Sequence, residues 1–174
     1  VDVYRTLWGF FADNVEYGLR LAAAQTASGR GTDALETVAA LMSAGTTRLG
    51  VVITMSTIAY PPFLLARLSA TLDHIARGRF GWNIVTTWSP QAGSNFGGIG
   101  AVSHGDRYER AEEYMAVVKG LWDSWADDAV LDDRANGHYA RADRIRPINH
   151  EGKYYRVAGP LNMPRGPQGR PVFV

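Results

Sequence analysis

The sequence predicts an α/β fold in which parallel strands alternate with helices. Two segments, Arg48–Ile58 and Phe80–Thr86, are rich in β-branched and apolar residues, as strands of a covered sheet are. The segments that follow them carry apolar residues at spacings of three and four, which is typical of amphipathic helices. Strands and helices that alternate in this way indicate βαβ units and a parallel sheet.

The first elements are a short strand and a helix. The apolar run Trp8–Ala12 is closed by Asp13 and Asn14, which predicts a buried strand with polar groups at its exit. Residues 18–32 are rich in Ala, Gly and Thr and are predicted to be mainly loop. A helix is then expected to begin at Thr32 or Asp33 and to end at Ala44-Gly45. Its predicted inward positions are Leu35, Val38, Ala39 and Met42.

The strand Arg48–Ile58 is nearly continuous in apolar residues, so we expect both of its faces to be covered. Thr54 and Ser56 fall on the same side of it, because side chains alternate along a strand. Pro61-Pro62 then begins a helix and Gly78 ends it. The inward positions predicted for this helix are Leu64, Leu65, Leu68, Leu72 and Ile75.

The strand Phe80–Thr86 carries Asn83 in its interior and is followed by a Gly-rich loop. A long helix is predicted to begin near His104. Its expected inward positions have spacings of three and four along most of its length. They are Tyr108, Ala111, Met115, Val118, Trp122 and Trp125.

The alternating pattern stops in residues 126–169, where several prolines and paired aspartates occur. We expect an insertion there, with one strand of a hairpin at Lys153–Val157. The next strand of the sheet is predicted to begin at Val172. Long irregular segments of this kind are often lids or binding loops.

Composition limits the classes of function. A chain of 174 residues with 46% hydrophobic residues predicts a single domain, and a net charge of +1 argues against a nucleic-acid partner. With no cysteine, disulfides and thiol chemistry are excluded. The histidines show no metal-binding spacing, so no metal is expected. No apolar run of about 18 residues and no signal-peptide pattern occur, which predicts a cytoplasmic protein without a membrane partner.

Polar side chains occur near the predicted carboxyl ends of the strands. Asp13 can accept hydrogen bonds from ligand hydroxyl or N–H groups, although a helix cap or turn residue is an equal alternative. Thr54 and Ser56 can bond the edge of a planar cofactor, or can be ordinary strand residues. The position of Asn83 inside a strand indicates a functional role more strongly, because a buried amide without a hydrogen-bond partner costs about 1–3 kcal/mol.

The spacing of His104, Arg107 and Tyr108 places them on one side of the first turn of the last long helix. Free backbone N–H groups and the helix dipole favour an anion at such a position. The alternative is an ordinary helix start with Tyr108 packed inward. A second group of basic residues in the insertion indicates a solvated face or, less strongly, a preference for an anionic substrate. Its members are Arg134, Arg141, Arg144 and Arg146.

Several linked motifs carry a resemblance to a known family. They include Tyr60–Arg67, Gly78–Thr87, His104–Ala111, Leu121–Trp125 and Gly159–Gln168, in this order along nearly the whole chain. In these motifs the sequence resembles the bacterial-luciferase-like flavin-dependent monooxygenases. The similarity is to the branch that contains nitrilotriacetate monooxygenase component A and dibenzothiophene-sulfone monooxygenase.

The resemblance implies a partial TIM (β/α)8 barrel of the luciferase-like type. Residues 1–174 would form one partial barrel domain covering about strands 2–5, with the insertion 126–169 before strand 5. Strand 2 would end at Asp13, strand 3 would run from Leu49 to Ile58, and strand 4 from Phe80 to Thr86. The first and the last three strands of the family barrel would be absent from this chain.

The resemblance also implies a reaction. Similar enzymes take reduced FMN (FMNH2) from a separate NADH-dependent flavin reductase and react it with O2 to a C4a-hydroperoxyflavin. One oxygen atom then enters a small organic substrate, and the full-length enzymes are expected to be homo-oligomers. Carried over by position, the implied flavin contacts are Asp13, Thr54, Asn83, His104 and Tyr108, with Ser56, Thr86 and Arg107 as further contacts. His104 is also the implied proton donor.

Two other interpretations stay open. One keeps the fold but replaces FMN with a deazaflavin (F420), giving a hydride-transferring oxidoreductase of the same superfamily. The other is a catalytically inert barrel fragment, since an incomplete barrel leaves sheet edges that need cover.

Overall fold

The computed structural model describes residues 15–86 and 103–174, without the side chains of residues 15–19, 32 and 104. The strand predicted at Trp8–Ala12, its exit residue Asp13 and the Gly-rich loop lie outside the described residues.

Helix α1 spans Val15–Ala27 and packs against helix α2, which spans Gly31–Ala44. The prediction of a loop over residues 18–32 is therefore wrong. Helix α1 contains enough Leu, Arg, Ala and Gln, all good helix formers, to outweigh its single interior glycine.

The start and the inward face of α2 also differ from the prediction. Its N-cap is Arg30 rather than Thr32 or Asp33, and no side chain caps it. Leu35 and Met42 are exposed, whereas the buried side chains are mostly smaller ones. They are Ala34, Ala39, Leu41 and Ser43. Because α2 packs against α1, strand β1 and helix α3, close approach favours these small residues over the larger leucine and methionine.

Strand β1 (Val51–Ser56), helix α3 (Pro62–Ala76) and strand β2 (Phe80–Val85) follow in the predicted order. The two strands pair in parallel, which confirms the predicted βαβ unit. Cover on both faces of β1 was predicted wrongly: Ile53 is buried, but Val52 is 52% exposed. The described helices cover only one face, and we call the other, which carries Val52 and Thr54, the open face of the sheet.

Helix α3 begins after Pro61 and ends at Arg77 and Gly78, both with positive φ, as the sequence predicts. Two of its predicted inward residues, Leu64 and Ile75, are exposed instead. The buried stripe lies on Pro62, Leu65, Ala66, Ser69, Ala70, Leu72, Asp73 and Ala76. Its alanines let the neighbouring helix approach closely, so that the indole N–H of Trp122 donates to the Ala66 carbonyl at 3.1 Å.

Helix α4 spans His104–Trp122 and is capped by Ser103, whose hydroxyl accepts from the Asp106 N–H. Trp122 is buried, as predicted. Tyr108 is 51% exposed, so its predicted inward orientation is wrong. The buried face is shifted by less than one turn and contains Ala111, Tyr114, Val117, Val118, Leu121 and Trp122.

The core centres on Trp82 in strand β2. Its ring contacts Tyr114, Trp122 and Phe173 with centroid separations of 6.2–6.5 Å. Its indole N–H donates to the Met55 carbonyl at 2.9 Å. One side chain therefore joins β1, β2, α4 and the last strand.

The segment 126–169 is an insertion of short elements, as predicted. Strands β3 (Val130–Asp133) and β4 (His138–Ala140) form one antiparallel hairpin. A 3₁₀ turn follows at Ala142–Arg144, and strands β5 (His150–Glu151) and β6 (Arg156–Val157) form a second hairpin. Strand β7 (Val172–Phe173) then pairs in parallel with β2, which confirms the predicted strand start at Val172.

The end of the insertion is anchored by Asp73, a carboxylate only 1% exposed. It accepts from the Gln168 backbone N–H at 3.1 Å and from the Gln168 side-chain amide at 2.6 Å. The same amide donates to the Phe80 carbonyl at 2.8 Å. A Cβ on Gly166 would lie 2.5 Å from an Asp73 oxygen, so this approach requires glycine. These contacts direct the chain into β7.

No helix within the described ranges has both the length and the apolar character that crossing a membrane requires.

Candidate functional site

The carboxyl ends of β1 and β2 carry the first group of candidate residues. Thr54 and Asn83 are direct partners in the parallel register, and the Asn83 amide donates to the Thr54 hydroxyl at 3.0 Å. Both side chains therefore lie on the open face, with Thr54 exposed and Asn83 half-buried. The structure brings these two predicted site residues into contact.

Ser56 and Thr86 occupy different surroundings. The Ser56 hydroxyl accepts from the Ile58 N–H at 3.2 Å, so it shapes the turn after β1. Thr86 follows β2 and borders a cavity of about 600 Å³ together with Ile84, Tyr108 and Met115. This cavity lies between β2 and α4, away from the open face that carries Asn83.

The start of α4 carries the other candidates. Tyr108 is exposed and borders the cavity beside Thr86, while Arg107 is half-buried. Asp106 lies between these residues and the helix start, and its carboxylate accepts from the Ser103 hydroxyl at 2.6 Å. The side chain of His104 and all of Asp13 lie outside the described residues, so their roles stay predictions.

A second cavity, of about 510 Å³, was not anticipated from the sequence. It lies at the carboxyl end of β1, between the turn into α3, helix α4 and the β5–β6 hairpin. Its polar lining comes mainly from Tyr60, Arg110, Tyr154 and Tyr155. Arg110 falls one turn after Arg107, and Tyr154-Tyr155 stand together in the predicted hairpin strand, but only the folded insertion brings them together.

Aromatic contacts organise this second cavity. The Arg110 Nε–H donates to the Tyr155 hydroxyl at 2.9 Å, and the guanidinium carbon lies 5.4 Å from the Tyr155 ring centre. Tyr155 packs edge-on against Tyr114, whose hydroxyl donates to the Tyr60 carbonyl at 2.9 Å. Burial is the largest cause that raises the pKa of Tyr114 far above its usual range, and the neighbouring Tyr155 and Tyr60 raise it further. Tyr114 is therefore a neutral support of the cavity wall.

Glu113 holds the β5–β6 hairpin on α4. Its carboxylate accepts from the backbone N–H groups of Tyr154 and Tyr155, at 3.0 and 2.8 Å, and lies 3.1 Å from His150 Nε2. Burial of the Glu113 side chain, which is 15% exposed, disfavours its charge, but these hydrogen bonds outweigh burial and lower its pKa.

Replacing Glu113 with glutamine is expected to lower the free energy of unfolding by about 1–3 kcal/mol at neutral pH, because two backbone donors lose their carboxylate. The pKa of Glu113 is lower in the folded chain than its ordinary value of 4.5. The carboxylate therefore contributes its full stabilisation above that value and loses it as the pH falls through the folded pKa. Urea unfolding of both proteins between pH 7 and pH 3 should show a difference that shrinks below 4.5.

Glu112→Gln is the matched control, because Glu112 is exposed on the same helix. A stability difference between Glu113→Gln and the unmodified protein that stays constant with pH would contradict this role of Glu113.

Three of the four arginines named in the insertion, Arg134, Arg141 and Arg144, are paired with nearby acids. Arg141 and Arg144 both contact the Asp128 carboxylate, at 3.3 and 2.7 Å, and Arg134 lies 3.5 Å from Asp132. Their charges are balanced locally, which favours the solvated-face interpretation. Among the described residues no cluster of three or more His, Asp or Glu is arranged to hold a metal ion.

Comparison with known families gives a direct match. The family model described as luciferase-like monooxygenase matches residues 17–174. The chain belongs to the luciferase-like monooxygenase family. The resemblance inferred from the motifs is thereby confirmed.

Similar curated proteins in this family are named monooxygenases. Nitrilotriacetate monooxygenase component A of Aminobacter aminovorans is 49% identical over 79% of this chain and 30% of its own length. Dibenzothiophene-sulfone monooxygenase of Rhodococcus erythropolis is 40% identical over 94% of this chain and 35% of its own. The chain thus spans about a third of the length of these relatives.

Solved structures of the family share the fold. A long-chain alkane monooxygenase has a TM-score of 0.75 at 39% identity, covering 79% of this chain and 32% of its own. A riboflavin lyase with modified FMN and riboflavin has a TM-score of 0.74 at 42% identity, covering 80% and 31%. The predicted fold class, a partial luciferase-like TIM barrel, is confirmed.

Proposed function

We propose that this chain belongs to an FMNH2- and O2-dependent monooxygenase that inserts one oxygen atom into a small organic substrate. The observation that carries the proposal is the Asn83–Thr54 pair on the open face, in the carboxyl-terminal halves of two adjacent parallel strands. Active sites of (β/α)8 barrels lie at this end of the strands.

The residues on this face fit the edge of a flavin ring. A flavin edge presents alternating C=O and N–H groups, and an amide beside a hydroxyl offers both donors and acceptors to it. Val52 adds an exposed apolar surface on the same face. Gly81 lies beside Val52 and has no side chain that would project above this surface. Asn83 and Thr54 would hold the ring edge in a fixed orientation.

A bound reduced flavin supplies the electrons that activate O2. The residues of this chain then have positioning tasks. Arg107 and Tyr108 would lie towards the flavin phosphate, Ser56, Thr86 and Asp13 would add further contacts, and His104 would donate a proton. The supply of FMNH2 would come from a separate NADH-dependent flavin reductase, a scheme supported by the name "component A" of one relative.

Anaerobic titration with reduced FMN tests the proposal against the deazaflavin alternative. The protein is expected to bind reduced FMN at least tenfold more tightly than reduced F420, as measured by equilibrium ultrafiltration. Tighter binding of F420 would contradict the FMN assignment and favour a hydride-transferring oxidoreductase.

The open face also gives the inert-fragment alternative a specific basis, because Val52 and Val172 expose apolar surface there. A protein that is folded by circular dichroism but binds neither reduced flavin would support that alternative over the monooxygenase.

A further inference from the structure

The cavity at the carboxyl end of β1 combines an apolar lining with one cationic group. Its volume of about 510 Å³ is within the range of small-molecule sites. Apolar side chains of the turn into α3 form one wall, and aromatic rings of the β5–β6 hairpin form another. The lining comprises Thr57, Ile58, Ala59, Tyr60, Pro61, Pro62, Arg110, Tyr154 and Tyr155.

Arg110 is the only residue with a formal charge in this lining. Three acids lie within three positions of it in sequence, and none of them lines this cavity. Glu109 accepts from Lys153 at 2.8 Å and from the Tyr154 hydroxyl at 2.9 Å, Glu113 is bonded to His150 and the hairpin backbone, and Glu112 borders the other cavity, beside Tyr108. No carboxylate in the described ranges forms an ion pair with Arg110. A half-buried guanidinium without a counter-charge favours an anionic ligand.

Tyr155 orients this guanidinium. Its hydroxyl accepts from the Arg110 Nε–H, and its ring lies beside the guanidinium carbon at 5.4 Å. Within the described part of the chain, no hydrogen bond involves the two terminal nitrogens of Arg110. Those nitrogens form the fork that binds a carboxylate or sulfonate through two parallel hydrogen bonds.

The cavity adjoins the candidate flavin site. Ile58, which lines it, donates its backbone N–H to the hydroxyl of Ser56, one of the predicted flavin contacts. An organic molecule held in the cavity would therefore lie next to the carboxyl end of β1.

We propose that this cavity binds the substrate and that the substrate is an organic anion, with an apolar body and a carboxylate or sulfonate held by Arg110. The substrate assignment rests on the proposed monooxygenase function. The cation that selects the substrate is Arg110 on helix α4. The paired arginines of the insertion, Arg134, Arg141 and Arg144, take no part in substrate binding.

A matched pair of probes tests the proposal. Binding of 4-(methylthio)benzoate and of its methyl ester is measured by isothermal titration calorimetry on the protein without flavin. We expect the carboxylate to bind at least tenfold more tightly than the ester. Arg110→Gln should abolish this preference by weakening carboxylate binding at least tenfold, while ester binding stays unchanged.

Two further variants sharpen the test. Arg110→Lys keeps the charge but not the fork, so its carboxylate affinity should lie between those of the unmodified protein and Arg110→Gln. Arg134→Gln removes an exposed arginine of the insertion and should change nothing. Equal binding of both probes, binding of neither, or equal effects of Arg110→Gln and Arg134→Gln would overturn the proposal.

Titration of each variant with reduced FMN separates this inference from the function on which it rests. If FMN binds but the carboxylate preference is absent, only the anion site is wrong. If the preference is present but FMN does not bind, the monooxygenase proposal fails and the anion site remains.

Discussion

Replacing Trp82 with alanine is expected to lower the free energy of unfolding by about 3–5 kcal/mol, the usual cost of truncating a buried aromatic residue. Trp82 is fully buried and packs against Tyr114, Trp122 and Phe173. These partners lie on α4 and β7, so the cavity left behind would loosen the contact of the sheet with α4. Urea unfolding followed by circular dichroism measures the effect.

Two variants serve as controls for Trp82→Ala. Trp82→Phe keeps most of the ring but removes the N–H donated to the Met55 carbonyl, and should cost about 1–3 kcal/mol. Leu64→Ala changes an exposed leucine of α3 and should cost less than about 1 kcal/mol. A Trp82→Ala variant no less stable than Leu64→Ala would show that Trp82 is not the centre of the core.

Replacing Asn83 with alanine is expected to lower the affinity for FMN at least tenfold. The amide is the donor to Thr54 on the open face. Its loss would remove both the proposed contact with the flavin ring edge and the bond that orients the Thr54 hydroxyl. Stability should fall by only about 1 kcal/mol, since Asn83 is half-buried and its loss breaks a single hydrogen bond between side chains. Quenching of FMN fluorescence on titration with protein measures the affinity.

Asn136→Ala is the matched control for Asn83, because Asn136 lies in the β3–β4 turn and bonds Asp133. An Asn83→Ala variant that binds FMN as tightly as Asn136→Ala would remove Asn83 from the flavin site.

Much of the fold was predictable because local signals mark its elements. Pro61-Pro62 begins α3 and Gly78 follows its end, as expected, and the two β-branched segments form adjacent parallel strands. The buried faces of the helices were less predictable. Leu35, Met42, Leu64 and Ile75 are exposed, because helices in this fold approach one another through alanine and serine rather than through their largest apolar side chains.

The candidate site was predictable where it depends on strand order alone. Thr54 and Asn83 meet because parallel register places equivalent positions of β1 and β2 side by side. Arg110 and Tyr155 were missed because they are 45 residues apart and meet only when the insertion folds back on α4. The loop predicted over residues 18–32 is mostly helix for a different reason: the Leu, Arg, Ala and Gln residues there have a high helix propensity.

The most direct test of a flavin site on the open face is an NMR titration that follows the side-chain amide protons of Asn83 during addition of FMN. The signal is assigned through its loss in Asn83→Ala. A flavin edge held by the Asn83–Thr54 pair predicts a saturable shift of the Asn83 amide signal, with the Asn136 amide unchanged. Saturable FMN binding that leaves the Asn83 amide signal unshifted would contradict a flavin site at the Asn83–Thr54 pair.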